Sequence, residues 1–285
     1  MKKTKKTSLF REFCGRLVKS GSSKLGLILL IFMILFCVVG PLFSPYGVND
    51  IDLMNIDALP SAAHWCGCDS MGRDLLTRLM YGGRYSLLLG VSASLFSGLL
   101  GIIIGCIAGY FGGMTETLLM RFTDVWSALP GMLLCILIST VVGAGFFPTV
   151  VALSIGSVPG CVRMIRGQIL AEREKEYIEA AQSIKCSNFT IMFKHLLPNV
   201  IQPMIIIMTM GIGSTITMAA GLSYIGLGIQ PPTPEWGAML ADGRSLIREF
   251  PHLITFPGIA IAITVLAINL LGDGLRDALD PKMRN

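Results

Sequence analysis

The chain has 285 residues, 53% of them apolar and 14% charged, with a mean hydropathy of +0.68 and a formal net charge of +5. A soluble domain of this length needs a charged surface, whereas residues 125–162 carry no Asp, Glu, Lys or Arg at all. The composition excludes a water-soluble fold and indicates an all-α integral membrane protein, to be counted in segments of about 20 residues, enough for a helix to cross roughly 30 Å of hydrocarbon.

Taken in chain order, residues 1–24 form a basic tail and Leu25–Phe43 the first span. That segment is longer than a signal-peptide core and ends in Gly40-Pro41 and Ser44-Pro45 rather than a small-x-small cleavage site, so it reads as a retained anchor. A polar loop, residues 44–86, leads to the second span at Leu87–Tyr110. The uncharged run from Val125 to Val162 is too long for one crossing, and Gly143-Ala-Gly-Phe-Phe-Pro148 supplies a turn that splits it. The fourth helix is then short, ending near Pro159-Gly160. Val200–Leu222 and Leu253–Leu271 make six spans, with a polar insert at 163–199, a second outer loop at 223–252 and a tail at 273–285.

Orientation follows from the cations. With the N-terminus inside, 18 of the 23 Lys and Arg fall on the inner side, including all ten Lys. Both termini and the insert are thereby expected in the cytoplasm. The charge of the N-terminal tail reports this orientation and attraction to anionic lipid, not a nucleic-acid partner. The eight cysteines are scattered, save Cys66-Gly-Cys68 in the first outer loop. Even beside His64 and Asp69 that pair lacks the second half of a four-ligand set, so no metal site is expected and the two read as small loop side chains.

A multispanning chain of this kind is a transporter, a channel or a membrane enzyme. None of the six segments carries an ionisable group of the sort that ion-coupled carriers keep within the bilayer at a cost of about 3 kcal/mol. A sodium site of hydroxyls, carbonyls and Asn269 stays open as the mark of a stand-alone carrier. There is no G-x-x-x-x-G-K-[ST] to bind a nucleotide, so a pump built on this chain draws its energy from another polypeptide. His64, His195 and His252 lie in three separate loops, and neither H-E-x-x-H nor G-x-S-x-G is present, so catalysis is not expected.

The insert is where such energy can enter. Glu172 to Ile184 is rich in helix formers, and Glu172, Glu176 and Glu179 recur at spacings of four and three, predicting one helix with the three carboxylates on a shared face. Ala180 and Ala181 would let another surface approach its backbone. Lys185 to Asn188 breaks the pattern, with Ser187 or Asn188 as N-cap of a second helix, Phe189–Leu197. That helix would carry Phe189, Met192, Phe193 and Leu196 on one side and be closed by Pro198. From pattern alone, a docking knob and an amphipathic connector lying on the membrane stand equal.

Glu179-Ala180-Ala181, followed at the right distance by Leu197-Pro198, resembles the E-A-A loop of bacterial ABC importer permeases, a pattern of E-A-A-x3-G-x9-I-x-L-P. Lys185 stands where that family has Gly, and His195 where the general pattern has Ile. Lys-His-Leu-Leu-Pro-Asn199 is similar to the R-H-I-L-P-N of the C-type permeases of peptide and nickel importers. So are "HWCGCDSMGRD" from His64, with Trp65, Cys66 and Cys68 departing, "GLSYIGLGIQPPTPEWGAMLADGR" from Gly221, and the closing "NLLGDGLRDALDPKMR".

The resemblance implies the type I ABC importer permease fold in the bacterial cytoplasmic membrane. It implies a B-type partner permease, two ATPase subunits that bind the ATP and Mg, and an extracytoplasmic solute-binding protein, with no cofactor in this chain. Cargo would be oligopeptides or dipeptides, or nickel or a metal–metallophore complex. The ATPase-coupling residues carried over are Glu179, Ala180, Ala181, Lys185, His195, Leu197 and Pro198. Lys at position 185 pays to adopt the left-handed turn that Gly makes freely, so a differently shaped turn is expected there. In the fifth span Gly211, Ser214, Thr217 and Met218 either line the pathway or, with Gly213, serve close helix packing, the reading the small-xxx-small spacing favours. The second outer loop from Gln230 to Leu246, with Pro-Pro-Thr-Pro and Trp236, is expected to cap the pathway or meet the binding protein, and Glu235, Asp242 and Arg244 to contact the partner or, the reading favoured, only to be solvated.

Overall fold

A computed structural model describes residues 20–279; the basic tail up to residue 19, with Cys14, and the last six residues lie outside it. The described residues are helical throughout their ordered elements: α1 Gly21–Val38, α2 Leu75–Phe111, α3 Gly113–Trp126, α4 Gly131–Val142, α5 Phe146–Arg173, α6 Glu176–Ser183, α7 Asn188–Tyr224, α8 Trp236–Gly243 and α9 His252–Leu279. Five of these, α1, α2, α5, α7 and α9, are long and apolar enough to cross a membrane. A sixth crossing exists if α3 and α4, bent by 80° at their junction, act as one.

The span ends shift: α1 stops at Val38 rather than Phe43, α2 begins at Leu75 rather than Leu87 and so takes in the end of the loop expected at 44–86, and α9 runs to Leu279 rather than Leu271. Two further differences have clear physical reasons. The third crossing does not begin at Val125. It begins at Gly113 with an amphipathic helix bearing Glu116, Arg121 and Asp124, and breaks before Pro130, whose ring disfavours helix in the residue ahead of it. At 12 residues, α4 spans only about 18 Å and needs α3 to complete a crossing. The fourth helix is not short. Pro159 lies inside a 28-residue helix that continues to Arg173, a lesion that neighbouring helices make tolerable in a membrane.

α2 packs closely along α5. Gly101, Gly105 and Gly109 repeat every fourth residue along α2 and form its contact stripe with α5. A methyl group at Gly105 would stand 2.9 Å from both Ile165 Cβ and the Val162 carbonyl, and one at Gly109 2.8 Å from Ile169 Cγ2. The core is in three parts. One, at the end bearing α6, joins Cys106, Ile165, Ile178, Ile191, Leu196 and Val200. A second, at the opposite end, gathers Met33, Cys37, Leu79, Trp236 and Leu253. The third joins Leu89, Leu153 and Leu222.

At that opposite end the loop after α1 is folded tightly. Asp74 caps α2, accepting from the Thr77 N–H at 2.8 Å and hydroxyl at 2.7 Å, and pairs with His64 Nδ1 at 2.9 Å. Asp69 receives Arg73 Nε at 2.7 Å and Arg78 Nε at 3.2 Å. Burial pushes the thiols of Cys66 and Cys68 up to about 11, so both are neutral. Among the described residues no group of three or more His, Cys, Asp or Glu could hold a metal ion.

The second outer loop departs from expectation. Trp236 is wholly buried and donates Nε1–H to the Leu79 carbonyl at 2.9 Å, so it is core rather than a surface contact. Glu235, expected in solvent, is 1% exposed. It caps α8 by accepting from the Gly237 and Ala238 N–H groups, both at 2.9 Å, and from Ser86 Oγ at 2.8 Å. Asp242 and Arg244 are exposed.

Candidate coupling surface

The insert folds as a knob on one end of the bundle. The single helix expected over Glu172–Ile184 is two: α5 stops at Arg173, and Lys175, extended at φ −81° and ψ 144°, opens α6. Glu172 therefore belongs to α5, and only Glu176 and Glu179 lie on the short helix. Along α6 the pattern sorts by face. Ile178 is fully buried and Ala181 6% exposed, both within the core shared with α2, α5 and α7, while Glu179, Ala180 and Gln182 face outward.

The end of α6 answers the question posed by Lys185. Its φ is +57°, in the left-handed region. Its N–H donates to the Gln182 carbonyl at 2.9 Å, and the next N–H, of Cys186, donates to the Ala181 carbonyl at 3.1 Å. This is the Schellman arrangement, in which a left-handed residue lets two orphan carbonyls be satisfied. Gly226 closes α7 in the same way at φ +83°, with N–H bonds from Gly226 to Ser223 and from Leu227 to Leu222. The turn expected to change shape at Lys185 has kept the left-handed form, at the steric cost of a Cβ.

Beyond the turn Ser187 is the N-cap, accepting from the Thr190 N–H at 3.2 Å. The helix it opens does not end at Pro198 but continues to Tyr224. Pro198 brings no N–H to the helix ladder, and the turn ahead of it, Ile191–Leu196, is widened into a π-helix. The widening separates the residues expected on one side. Leu196 is buried, Met192 half-buried, and Phe189 and Phe193 are exposed and stacked at 4.4 Å between ring centroids. His195 and Leu197 are half-buried and Pro198 exposed.

The knob is tied to the spans at several points. Tyr110 at the end of α2 donates its hydroxyl to Asn188 Oδ1 at 2.9 Å. Arg173 donates to the carbonyls of Gly109 at 3.2 Å and Tyr110 at 3.0 Å. Tyr177 donates to Glu172 and accepts from Asn199 Nδ2 at 2.9 Å. Burial, then the Glu172 carboxylate, pushes the Tyr177 hydroxyl up to about 12, keeping it a donor at any physiological pH.

In the fifth span Ser214 and Thr217 are exposed, and Gly211 and Met218 half-buried. Gly213 is buried against α9, where an added methyl would stand 3.2 Å from Asn269 Oδ1. Gly213 and Thr217 thus point to different surroundings rather than forming one packing notch. The stripe at Gly101, Gly105 and Gly109 and the cap at Glu235 were not anticipated. The first is legible as a four-residue repeat, and the second has only the weak signal of a carboxylate just ahead of a helix.

An all-helical bundle with an exposed, anchored short helix at one end invites comparison with known permeases. Residues 101–285 match the family described as binding-protein-dependent transport system inner membrane component, and residues 8–60 match the N-terminal TM domain of oligopeptide transport permease C. The chain belongs to the binding-protein-dependent transport system inner membrane components. It is thus a permease of the ABC importer class in the cytoplasmic membrane.

Among relatives of this inner membrane component, the glutathione transport system permease protein GsiD of Pectobacterium atrosepticum is 41% identical over 277 residues, covering 97% of this chain and 92% of the relative. GsiD of Escherichia coli O157:H7 is 41% identical over 276 residues, covering 96% and 91%. The fold is that of a solved inward-facing MetNI methionine ABC transporter chain, with a TM-score of 0.59 at 17% identity over 71% of this chain and 96% of that one.

Proposed function

We propose that the chain admits short peptides of the size of glutathione through a pathway formed with a second permease. Two ATPase subunits drive it at the cytoplasmic insert 163–199, and an extracytoplasmic binding protein delivers the cargo. The observation that carries this reading is α6 itself: one face, Ile178 and Ala181, is locked into the core with three spans, and the other, Glu179 and Ala180, is presented outward. A surface connector lying on lipid would present the apolar face of its helix to the membrane; the apolar face of α6, Ile178 and Ala181, points into the protein instead, although Phe189 and Phe193 beyond it are exposed. The outward face is small and acidic, suited to a groove on a partner protein.

On this reading Glu179 and Ala180 meet the ATPase, while Ala181 and Lys185 shape the helix and its end. His195, Leu197 and Pro198 lead from the knob into the fifth span, where Ser214 and Thr217, exposed on α7, face the pathway. The relatives' name supports glutathione or another short peptide as cargo. The chain supplies no nucleotide or metal site of its own on this scheme; ATP and Mg belong to the ATPases.

Co-expression with the partner subunits tests it. Wild-type chain should co-purify with two ATPases and support vanadate-sensitive uptake of labelled glutathione, and Glu179→Arg should lose both. Retention of the ATPases by Glu179→Arg, or uptake by the lone chain in liposomes, would overturn the reading.

A further inference from the structure

Three side chains from three elements form one hydrogen-bonded line at the base of the bundle. Glu172 is in the last turn of α5, Tyr177 in the first turn of α6, and Asn199 in α7 just beyond its widened turn. Tyr177 Oη donates to Glu172 Oε1, and Lys175 Nζ holds the other carboxylate oxygen at 2.7 Å. Asn199 Nδ2 donates one hydrogen to Tyr177 Oη at 2.9 Å and one to the His195 carbonyl at 2.8 Å. The direction is chemically determined. A carboxylate and a carbonyl only accept, so the phenol must donate toward Glu172 and the amide must turn its nitrogen toward His195.

The far end of this line is a place where a helix can change. Ile191–Leu196 is π-helical, and the Leu197 N–H reaches back five residues to the Met192 carbonyl. Pro198 and Pro203 bring no N–H to the ladder. Such a widened turn can pass between π and α registers without unfolding, and the switch re-aims everything beyond it. Beyond it lies the span that carries Ser214 and Thr217. Asn199, bonded to a carbonyl of the widened turn and to α6 together, links the register of that turn to the position of α6.

We infer that Tyr177 and Asn199 are positioning residues for transport, carrying displacement of α6 to the widened turn of α7 and so to the fifth span. The inference rests on the reading of α6 as the ATPase docking helix. Neither residue meets cargo or nucleotide on this scheme; each acts through the turn at His195. A mere brace would affect how much folded protein accumulates, but not how far a signal travels.

The test is hydrogen–deuterium exchange on the full assembly with its partner permease and ATPases, with and without ATP and vanadate, for wild type, Tyr177→Phe, Asn199→Leu and the double variant. In wild type, trapping should change exchange in both 176–183 and 191–204. In either single variant the change at 176–183 should persist, the change at 191–204 should shrink about fivefold, and labelled glutathione taken up per ATP should fall about as much. The double variant should be no worse than the more damaged single, since both interrupt one line. A wild-type-sized change at 191–204 in Tyr177→Phe overturns the inference, as does loss of the ATPases from that variant. If Asn199→Leu does not accumulate, Tyr177→Phe decides alone, because it removes a single oxygen. Glu179→Arg run in parallel separates the two readings. ATPases retained there defeat the docking assignment, whereas the exchange pattern in Tyr177→Phe bears on the relay alone.

Discussion

The Cys186 N–H donates to the carbonyl of Ala181 at 3.1 Å, closing α6 over a lysine that stands at φ +57°. That bond makes the position of Cys186 depend on a backbone form that lysine adopts at a cost of about 1 kcal/mol relative to glycine. Lys185→Gly should therefore raise the thermal midpoint of the purified assembly slightly and leave uptake intact. Lys185→Val, β-branched and poorly suited to the left-handed region, should lower stability by about 1 kcal/mol or more. Thermal denaturation followed by tryptophan fluorescence reads both; a stabilising Val variant would mean that the turn relaxes to another form.

Adjacent alanines in the insert should answer differently to the same substitution. Ala181 is buried against the core shared with α2, α5 and α7, so Ala181→Leu overpacks it by about 1–3 kcal/mol and should reduce the amount of folded chain in the membrane. Ala180 is exposed. Ala180→Leu should accumulate normally and fail in ATPase co-purification. Quantitative blotting of membranes alongside the co-purification separates the two, and equal behaviour of both variants would remove the distinction between inner and outer faces.

How far the fold was legible follows from what each residue needs to be understood. The spans α1, α2, α7 and α9 were read from charge-free stretches, because the bilayer forbids ionised side chains whatever the packing. The broken third crossing was not, since α3 carries Glu116, Arg121 and Asp124 and its polar face hides it from any count of apolar residues. Pro159 misled for the opposite reason: a local breaker rule lost to the surrounding helices. At the knob, a helix around Glu179 was legible by pattern but its start at Glu176 was not, and the hydrogen-bonded line from Glu172 through Tyr177 to Asn199 joins residues up to 27 positions apart and exists only in three dimensions.

Glu235 offers a test at the other end of the molecule. It is buried, and three donors converge on it: the N–H groups of Gly237 and Ala238 and the Ser86 hydroxyl. Glu235→Ala strands all three in a water-poor site and removes the cap of α8, a loss of about 2–4 kcal/mol when the cap and the unsatisfied donors are taken together. The variant should be scarce in membranes and unfold well below wild type. Glu235→Gln keeps one acceptor oxygen and should be intermediate. If Glu235→Ala were as stable as wild type, the carboxylate would have to be solvated in the working protein.

The α2–α5 stripe predicts a graded series within the membrane. A methyl group at Gly105 meets Ile165 Cβ and the Val162 carbonyl at 2.9 Å, and one of those neighbours is backbone that cannot rotate aside. Gly105→Ala should cost about 1–3 kcal/mol by forcing the helices apart, and Gly105→Leu should prevent the bundle from closing. Gly167 on α5 is the control, with nothing within 4 Å of an added methyl. Gly167→Ala should be neutral or slightly stabilising, because alanine is the better helix former by about 1 kcal/mol. Protease resistance of the membrane-inserted chain, measured across the three variants, should fall in the order Gly167→Ala, Gly105→Ala, Gly105→Leu. A Gly105→Leu protein as resistant as wild type would show that α2 and α5 do not rely on this contact, and the close approach along Gly101, Gly105 and Gly109 would then lose its role in holding the base of the bundle beneath α6.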